Sequence, residues 1–242
     1  YESMEPGSPV IGRLRARNCA GRWHELELTD DPVMRSFESM MPLGNRAEDF
    51  GVSLKAIDSF LELTDQGAYD TFYRTVAADW LADFHRTFYE QRDRARAFDT
   101  HGWLELHASY PRFHEILRRR AGDARIALAT AKDRRSAELL LDHLGIGDLF
   151  SPELVLDKET GVSKTAHLTA LRDRLDVPFD SITFVDDKLN HLEVVAPLGV
   201  RPVLAGWGFN TPREHDLAAA KGFPVANFAD VEQVLYGGGS ID

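Results

Sequence analysis

The sequence has very little cysteine, no long apolar run and no excess of basic residues. Its single cysteine, Cys19, can form no disulfide within the chain. No run approaches the about eighteen apolar residues that a membrane-spanning helix needs, and the start of the chain has no basic-then-apolar leader. The 28 basic residues against 39 acidic ones give a net charge of −11. An acidic surface repels nucleic acid and anionic lipid, so we expect neither nucleic acid nor membrane as a partner. Because the cysteine, apolar-run and leader signals give no contrary indication, we expect a cytoplasmic location by default.

The first half of the chain has a helical pattern. Over residues 4–120, apolar and aromatic residues recur at helical spacing, and the predicted helices cover residues 52–63, 70–94 and 110–120. Proline, glycine and asparagine within residues 42–45 predict a turn, and we interpret Glu48 and Asp49 as continuing this polar break. Residues 237–242 are glycine-rich at their start and are typical of a flexible linker or tag-like tail.

The second half, residues 121–236, alternates short apolar runs with amphipathic stretches. The predicted strands cover residues 126–129, 154–156, 182–185, 201–205 and 224–225. The predicted helices cover residues 134–144, 165–175, 189–198, 211–221 and 230–235. Strands that alternate with helices predict the α/β class, with a parallel sheet covered on both faces. In such sheets, sites form beyond the carboxyl ends of the strands.

A hydroxyl side chain follows the first predicted strand. Thr130 and Ala131 lie between this strand and the next predicted helix. The Thr130 hydroxyl and the backbone N–H groups that follow it, including that of Ala131, are suited to bind a phosphate oxygen at a helix start. A threonine at this place also serves as an ordinary helix cap, so the pattern leaves both roles open.

A lysine opens the helix that is predicted after the second strand. A cation at a helix start opposes the helix dipole, and an anion bound between Lys164 and the helix terminus would remove that objection. The alternative is a solvated surface lysine. Lys158, slightly earlier in the chain, is a competing candidate for the same role.

Two adjacent carboxylates follow the third strand. Asp186 and Asp187 carry like charges that repel, which raises a carboxyl pKa unless a cation balances them. Carboxylates and substrate phosphate are the usual surroundings of Mg²⁺. We therefore interpret the pair as a magnesium site, with the capping of the next helix as the alternative.

Thr130, Lys164 and the aspartate pair occur in the order of the second, third and fourth motifs of the haloacid dehalogenase (HAD) superfamily, which the chain resembles over residues 122–236. The separation of Lys164 from Asp186 fits that family better than the separation of Lys158 does. The resemblance implies a Rossmann-like core with an inserted α-helical cap, the cap being residues 4–120.

The resemblance also implies roles for these residues. Thr130 would donate a hydrogen bond to a transferring phosphoryl oxygen, with Ala131 beside it, and Lys164 would steady the nucleophile and the phosphate charge. Asp186 would bind Mg²⁺ directly or through water, and Asp187 would support it.

The first motif of the family, Asp-x-Asp on the central strand, is not found in the sequence. The closest string, residues 26–32, lacks both the apolar run and the spacing. In the family, the first Asp forms an aspartyl-phosphate and the second is the general acid and base. Tyr1, Glu2 and Ser3 resemble the end of the segment that follows the nucleophile, so we expect the nucleophile upstream of Tyr1. A domain without its central strand would leave buried backbone groups unpaired, at about 1–3 kcal/mol each.

The implied function is Mg²⁺-dependent hydrolysis of a small phosphate monoester, such as a phosphorylated metabolite, through an aspartyl-phosphate. A 2-haloacid dehalogenase is the second hypothesis, because it uses a similar scaffold without a metal. A non-catalytic HAD-fold binding protein is the third, and the sequence taken literally favours it. The aspartate pair favours a metal and so argues against the dehalogenase. The sequence predicts neither the substrate nor the oligomeric state.

Overall fold

The computed structural model describes residues 1–16, 31–107, 109–161 and 163–237. The chain divides into two compact units, Tyr1–Ala108 and Ser109–Asp242. Residues 26–30 of the string weighed as a first motif lie outside the described residues, as do residues 238–242 of the predicted tail. Within the described ranges, no helix combines the length and the apolar character needed to cross a membrane.

The described residues of the first unit form helices and connecting loops, without a strand. Its helices are α1 (Pro9–Ala16), α2 (Pro32–Met40), α3 (Ala47–Asp58), α4 (Gln66–Tyr73), α5 (Ala78–Phe98) and α6 (Thr100–Glu105). The single helix predicted over residues 70–94 is wrong, because the structure breaks it between α4 and α5. Both the backbone N–H and the hydroxyl of Thr75 donate to the Phe72 carbonyl, at 2.9 and 2.6 Å, which closes a turn in place of helical hydrogen bonds.

The interpretation of Glu48 and Asp49 as a polar break is also wrong. Both side chains are buried in the first turn of α3. One carboxylate oxygen of Asp49 accepts from the backbone N–H groups of Asn45 and Arg46, each at 2.7 Å, and the other accepts from the Tyr69 hydroxyl at 2.8 Å. An acidic side chain here satisfies N–H groups that have no partner within the helix, so it starts α3 instead of interrupting it.

The second unit alternates strands and helices. In chain order it contains α7 (Pro111–Arg119), β1 (Leu128–Ala129), α8 (Arg134–His143), β2 (Val155–Leu156), α9 (Lys164–Leu175), β3 (Thr183–Asp186), α10 (Leu189–Val195), β4 (Arg201–Ala205), α11 (Pro212–Ala220), β5 (Val225–Ala226) and α12 (Val231–Tyr236). The strand pairs among the described residues are all parallel, as the α/β prediction requires. The helix predicted over residues 110–120 corresponds to α7, whose Ile116 packs on Val203 and Val231 of the second unit.

The strands of the described residues form two sheets, β1-β2 and β3-β4-β5, where the sequence predicted one. The Thr130 N–H donates to the Leu156 carbonyl at 2.8 Å, so the Ala129 carbonyl points toward the opposite edge of β1. Among the described residues, neither that edge of β1 nor the edge of β3 opposite β4 has a strand partner.

One apolar cluster joins the two sheets. Leu156 of β2, Phe184 of β3 and Leu204 of β4 are buried in it, and Ala129 of β1 packs against it. Because the sheets share this core, the carboxyl ends of their strands are held in a common framework.

Candidate active site

Lys164 is held between the ends of β1 and β3. It is the first residue of α9, whose N-cap Ser163 accepts a hydrogen bond from the Ala166 N–H at 3.1 Å. The Lys164 Nζ donates to the Ala129 carbonyl at 2.8 Å and lies 3.4 Å from Oδ2 of Asp186. The lysine side chain is only 17% exposed. A cation that opens a helix is therefore balanced here by a carboxylate and a carbonyl.

The competing lysine occupies a different environment. The Lys158 side chain is 53% exposed, and its Nζ lies 3.8 Å from Oε1 of Glu159. Its backbone N–H donates to the Lys132 carbonyl. Lys164 contacts a carboxylate of the aspartate pair, whereas Lys158 contacts Glu159, so the geometry favours Lys164.

Thr130 directly follows β1, and its hydroxyl oxygen accepts from the Lys132 N–H at 3.1 Å. That bond uses one lone pair of the Thr130 hydroxyl oxygen. The hydroxyl hydrogen points in another direction and can form a hydrogen bond to a ligand. The alternative role as a helix cap does not hold, because Asp133 is the N-cap of α8 and accepts from the Ser136 N–H at 2.9 Å. Ala131 lies exposed in the loop between β1 and α8.

Asp186 is the last residue of β3, and its side chain is 11% exposed. Nδ1 of His191 lies 3.1 Å from each of its carboxylate oxygens, and the Lys188 N–H donates to Oδ1 at 2.9 Å. Burial alone would raise the pKa of Asp186, but the contacts with His191, Lys164 and the Lys188 N–H together lower that pKa below its ordinary value. Asp186 is thus held as a carboxylate.

Asp187 has the opposite electrostatic situation. Its Oδ2 accepts from the Phe209 N–H at 2.8 Å, and its backbone carbonyl accepts from Nδ2 of Asn210 at 3.0 Å. Burial raises the pKa of Asp187, and the neighbouring charge of Asp186 raises it further against the lowering effect of the Phe209 N–H. The N-cap of α10 is Lys188, so capping does not explain why a second aspartate stands here.

The donor set of the pair fits the protein's share of a magnesium site. Mg²⁺ is usually held by one or two carboxylates, with water and phosphate oxygens completing its shell. Asp186 and Asp187 supply two such carboxylates, and a cation would offset the repulsion that raises the pKa of Asp187. In the described part of the chain, no three His, Cys, Asp or Glu side chains group together as metal ligands.

Sequence reasoning assigned no role to several groups that contact the pair. These are the His191 imidazole, the Phe209 N–H and the Asn210 amide. The available signal was position, since Asn210 closely follows the end of β4 and His191 lies in the first turns of α10. Only the folded structure shows that His191 contacts the Asp186 carboxylate, the Phe209 N–H the Asp187 carboxylate, and Asn210 the Asp187 backbone carbonyl.

Comparisons with known proteins identify a family and a fold. A model described as "haloacid dehalogenase-like hydrolase" matches residues 30–199, which is more than half of the chain. The structure is similar to that of a haloacid dehalogenase-like family hydrolase from Streptococcus pneumoniae, with a TM-score of 0.51, 14% sequence identity, and coverage of 84% of this chain and 90% of that chain. None of the curated proteins compared with the chain matches it. The structural likeness confirms the predicted α/β, Rossmann-like fold with a helical insertion.

Proposed function

Because this chain belongs to the haloacid dehalogenase-like hydrolases, we propose that it hydrolyses a small phosphate monoester with Mg²⁺, through an aspartyl-phosphate. The observation that carries the proposal is the position of the Lys164 Nζ, between the Ala129 carbonyl and Oδ2 of Asp186. A phosphoryl group brings negative charge to carboxylates, and an ammonium fixed beside them offsets that charge without having to move during the reaction.

Each residue of the site has one proposed role. Thr130 donates a hydrogen bond from its hydroxyl to a phosphoryl oxygen, and the Ala131 N–H lies beside it in the same loop. Lys164 neutralises charge on the nucleophile and on the phosphoryl group. Asp186 and Asp187 hold Mg²⁺, which when bound supplies positive charge at the phosphoryl oxygens.

We propose that the nucleophilic aspartate is carried by a parallel strand between β1 and β3. Both strands have an edge without a strand partner among the described residues, and the two sheets share one core. A strand at this place would pair with both edges and would bring its carboxyl end beside Lys164. Residues 26–32 do not suit this role, because Asp31 caps α2 and Pro32 is its first residue.

The proposed reaction has two steps. A carboxylate oxygen of the nucleophile attacks phosphorus, and the alcohol leaves with a proton from a general acid. Water then hydrolyses the aspartyl-phosphate and releases inorganic phosphate. The helical first unit is proposed to act as the family's cap. A small phosphorylated metabolite as substrate, a cytoplasmic location and the absence of nucleic-acid and membrane partners remain predictions.

The test uses the complete protein as it is encoded. Phosphate release from p-nitrophenyl phosphate and a panel of small phosphate monoesters is measured with Mg²⁺ and with EDTA, and halide release from 2-chloropropionate is measured in parallel. We expect Mg²⁺-dependent phosphate release and, after acid quenching, a phosphoprotein that hydroxylamine cleaves. Metal-independent halide release would instead assign a dehalogenase. No turnover of any substrate would indicate a binding protein.

A further inference from the structure

The loop that follows β4 donates a hydrogen bond to the carboxylate of Asp187. From its geometry we infer that Asn210 is a positioning residue for Asp187, and that His215 in turn fixes the orientation of Asn210. This inference rests on the proposed function, because it concerns the carboxylate pair that we propose as the metal site.

The Asn210 amide bridges the ends of two strands. Its Nδ2 donates to the Ala205 carbonyl at 2.8 Å and to the Asp187 carbonyl at 3.0 Å. Ala205 is the last residue of β4, and Asp187 directly follows β3. Both protons of the amide nitrogen are therefore used on backbone carbonyls at the sheet edge where the site lies.

The other end of the same amide is also fixed. Nε2 of His215 lies 2.7 Å from Oδ1 of Asn210, so the imidazole donates to the amide oxygen and leaves the NH₂ group toward the strands. His215 lies in α11. This helix begins with a capping box, in which the Glu214 carboxylate accepts hydrogen bonds from the N–H and the hydroxyl of Thr211 at 2.9 and 2.7 Å. A helix thus anchors the imidazole, and the imidazole orients the amide.

The loop backbone approaches Asp187 closely. A Cβ placed on Gly208 would lie 2.2 Å from Cβ of Asp187, a separation that side chains do not tolerate. This close approach allows the Phe209 N–H to donate to Oδ2 of Asp187 at 2.8 Å. Asn210 immediately follows these residues, so its two bonds to strand carbonyls hold the Phe209 N–H where the carboxylate needs it.

The two carboxylates are supported very differently. Asp186 is contacted by the ammonium of Lys164, the imidazole of His191 and one backbone N–H. The described donor to the Asp187 carboxylate is a single backbone N–H from the loop. Because the adjacent negative charge of Asp186 favours rotation of Asp187 away from it, the loop decides whether both carboxylates face one cation.

The experiment compares Mg²⁺ binding and amide exchange in the full-length protein. Asn210→Ala removes both bridging bonds, and His215→Leu removes only the bond that orients the amide, whereas His215→Gln keeps an N–H donor. Asp230→Ala is the matched control, since its carboxylate accepts from the Asn227 N–H at 2.7 Å in the loop after β5. Calorimetry gives the Mg²⁺ dissociation constant, and NMR gives the exchange rate of the Phe209 amide without Mg²⁺.

We expect Asn210→Ala to weaken Mg²⁺ binding by about 10- to 100-fold and to speed exchange of the Phe209 amide. His215→Leu should give a smaller change in the same direction, His215→Gln should restore much of it, and Asp230→Ala should change neither measurement. Unchanged Mg²⁺ affinity and Phe209 exchange in Asn210→Ala would overturn the inference. If that variant does not fold, the two His215 variants decide by the same criteria. Absence of Mg²⁺ binding to the wild-type protein would instead refute the proposed metal site, and Phe209 exchange would still decide whether Asn210 positions the loop.

Discussion

Lys164 and Asp186 belong to different elements of the second unit, and the Lys164 Nζ lies 3.4 Å from Oδ2 of Asp186. The lysine opens α9 and the aspartate ends β3, while the same Nζ also donates to the carbonyl of Ala129 at the end of β1. One ammonium therefore links two strands that have no hydrogen bond to each other in the described part of the chain. Such a contact is more suited to arranging charge than to holding the core together.

Replacement of this ammonium should affect catalysis strongly. We expect Lys164→Ala to lower kcat for a phosphate monoester by about 10²- to 10³-fold, because charge on the phosphoryl group is no longer offset. Lys158→Ala is the control and should keep wild-type kcat, since its exposed side chain contacts Glu159. Steady-state phosphate release measures both variants. Equal losses in the two variants, or none in Lys164→Ala, would contradict the assignment of Lys164.

The alternating half of the chain was predicted closely from its sequence, and the helical half less so. Residues 201–205 coincide with β4, because a short run that is apolar apart from Arg201 lies between Gly199 and Gly206. The predictions at Thr75 and Asp49 in the first unit were wrong, because Thr75 ends a helix and Asp49 starts one through hydrogen bonds to particular backbone groups. Hydrophobic spacing carries no information about such bonds.

The same limit applies to the site. Thr130, Lys164 and Asp186 stand at strand ends or helix starts, where sequence order alone indicates chemistry. His191 contacts the Asp186 carboxylate, and the Asn210 amide contacts the backbone carbonyl of Asp187. The direction of both side chains is set by tertiary packing. Their residue types are common, so only the structure distinguishes them from ordinary surface residues.

The Thr130 hydroxyl has a separable role. We expect Thr130→Val to lower kcat by about 10²-fold or more, because the variant cannot donate to a phosphoryl oxygen. Thr130→Ser keeps the hydroxyl that also accepts from the Lys132 N–H, so it should retain most of the activity. Kinetics of the two variants on one phosphate monoester, with thermal melting as a check on folding, make the comparison. A Thr130→Val enzyme as fast as Thr130→Ser would rule out this donor.

The packing of the first unit can be tested without reference to catalysis. A Cβ on Gly51 of α3 would lie 2.7 Å from the Phe84 ring and 2.8 Å from Trp80. A Cβ on Gly12 of α1 would meet no atom within 4 Å. Both substitutions by alanine share the gain in helix propensity of about 1 kcal/mol, but only Gly51→Ala adds overpacking, which costs about 1–3 kcal/mol. We therefore expect the free energy of unfolding of Gly51→Ala, measured by chemical denaturation, to be about 1–3 kcal/mol lower than that of Gly12→Ala. Equal stabilities would mean that Phe84 and Trp80 move aside freely.

Asp157, directly after β2, should make stability depend on pH. Asp157 is 2% exposed, and its Oδ2 lies 2.5 Å from Nε of Arg134. Its Oδ1 accepts hydrogen bonds from the N–H and the hydroxyl of Thr160 at 3.0 and 3.1 Å. Burial alone would raise the pKa of Asp157, but the Thr160 hydrogen bonds and the Arg134 charge lower it below its ordinary value. A carboxyl whose pKa is lower in the folded than in the unfolded state stabilises the fold above the unfolded pKa. That stabilisation disappears as pH falls through the folded pKa.

We accordingly expect Asp157→Asn to lower the free energy of unfolding by about 1–3 kcal/mol at pH 7, because a charged hydrogen-bonding partner of Arg134 is lost. The difference from wild type should shrink once the pH falls below about 4, the region of the unfolded aspartate pKa. Urea denaturation at pH 7, 5 and 3.5 measures it, with Asp173→Asn as the control, since Asp173 is 59% exposed in its ion pair with Arg172. The control should change stability by less than about 0.5 kcal/mol at pH 7. A deficit of Asp157→Asn that stays constant down to pH 3.5 would show that the shape of this side chain, and not its charge, stabilises the end of β2.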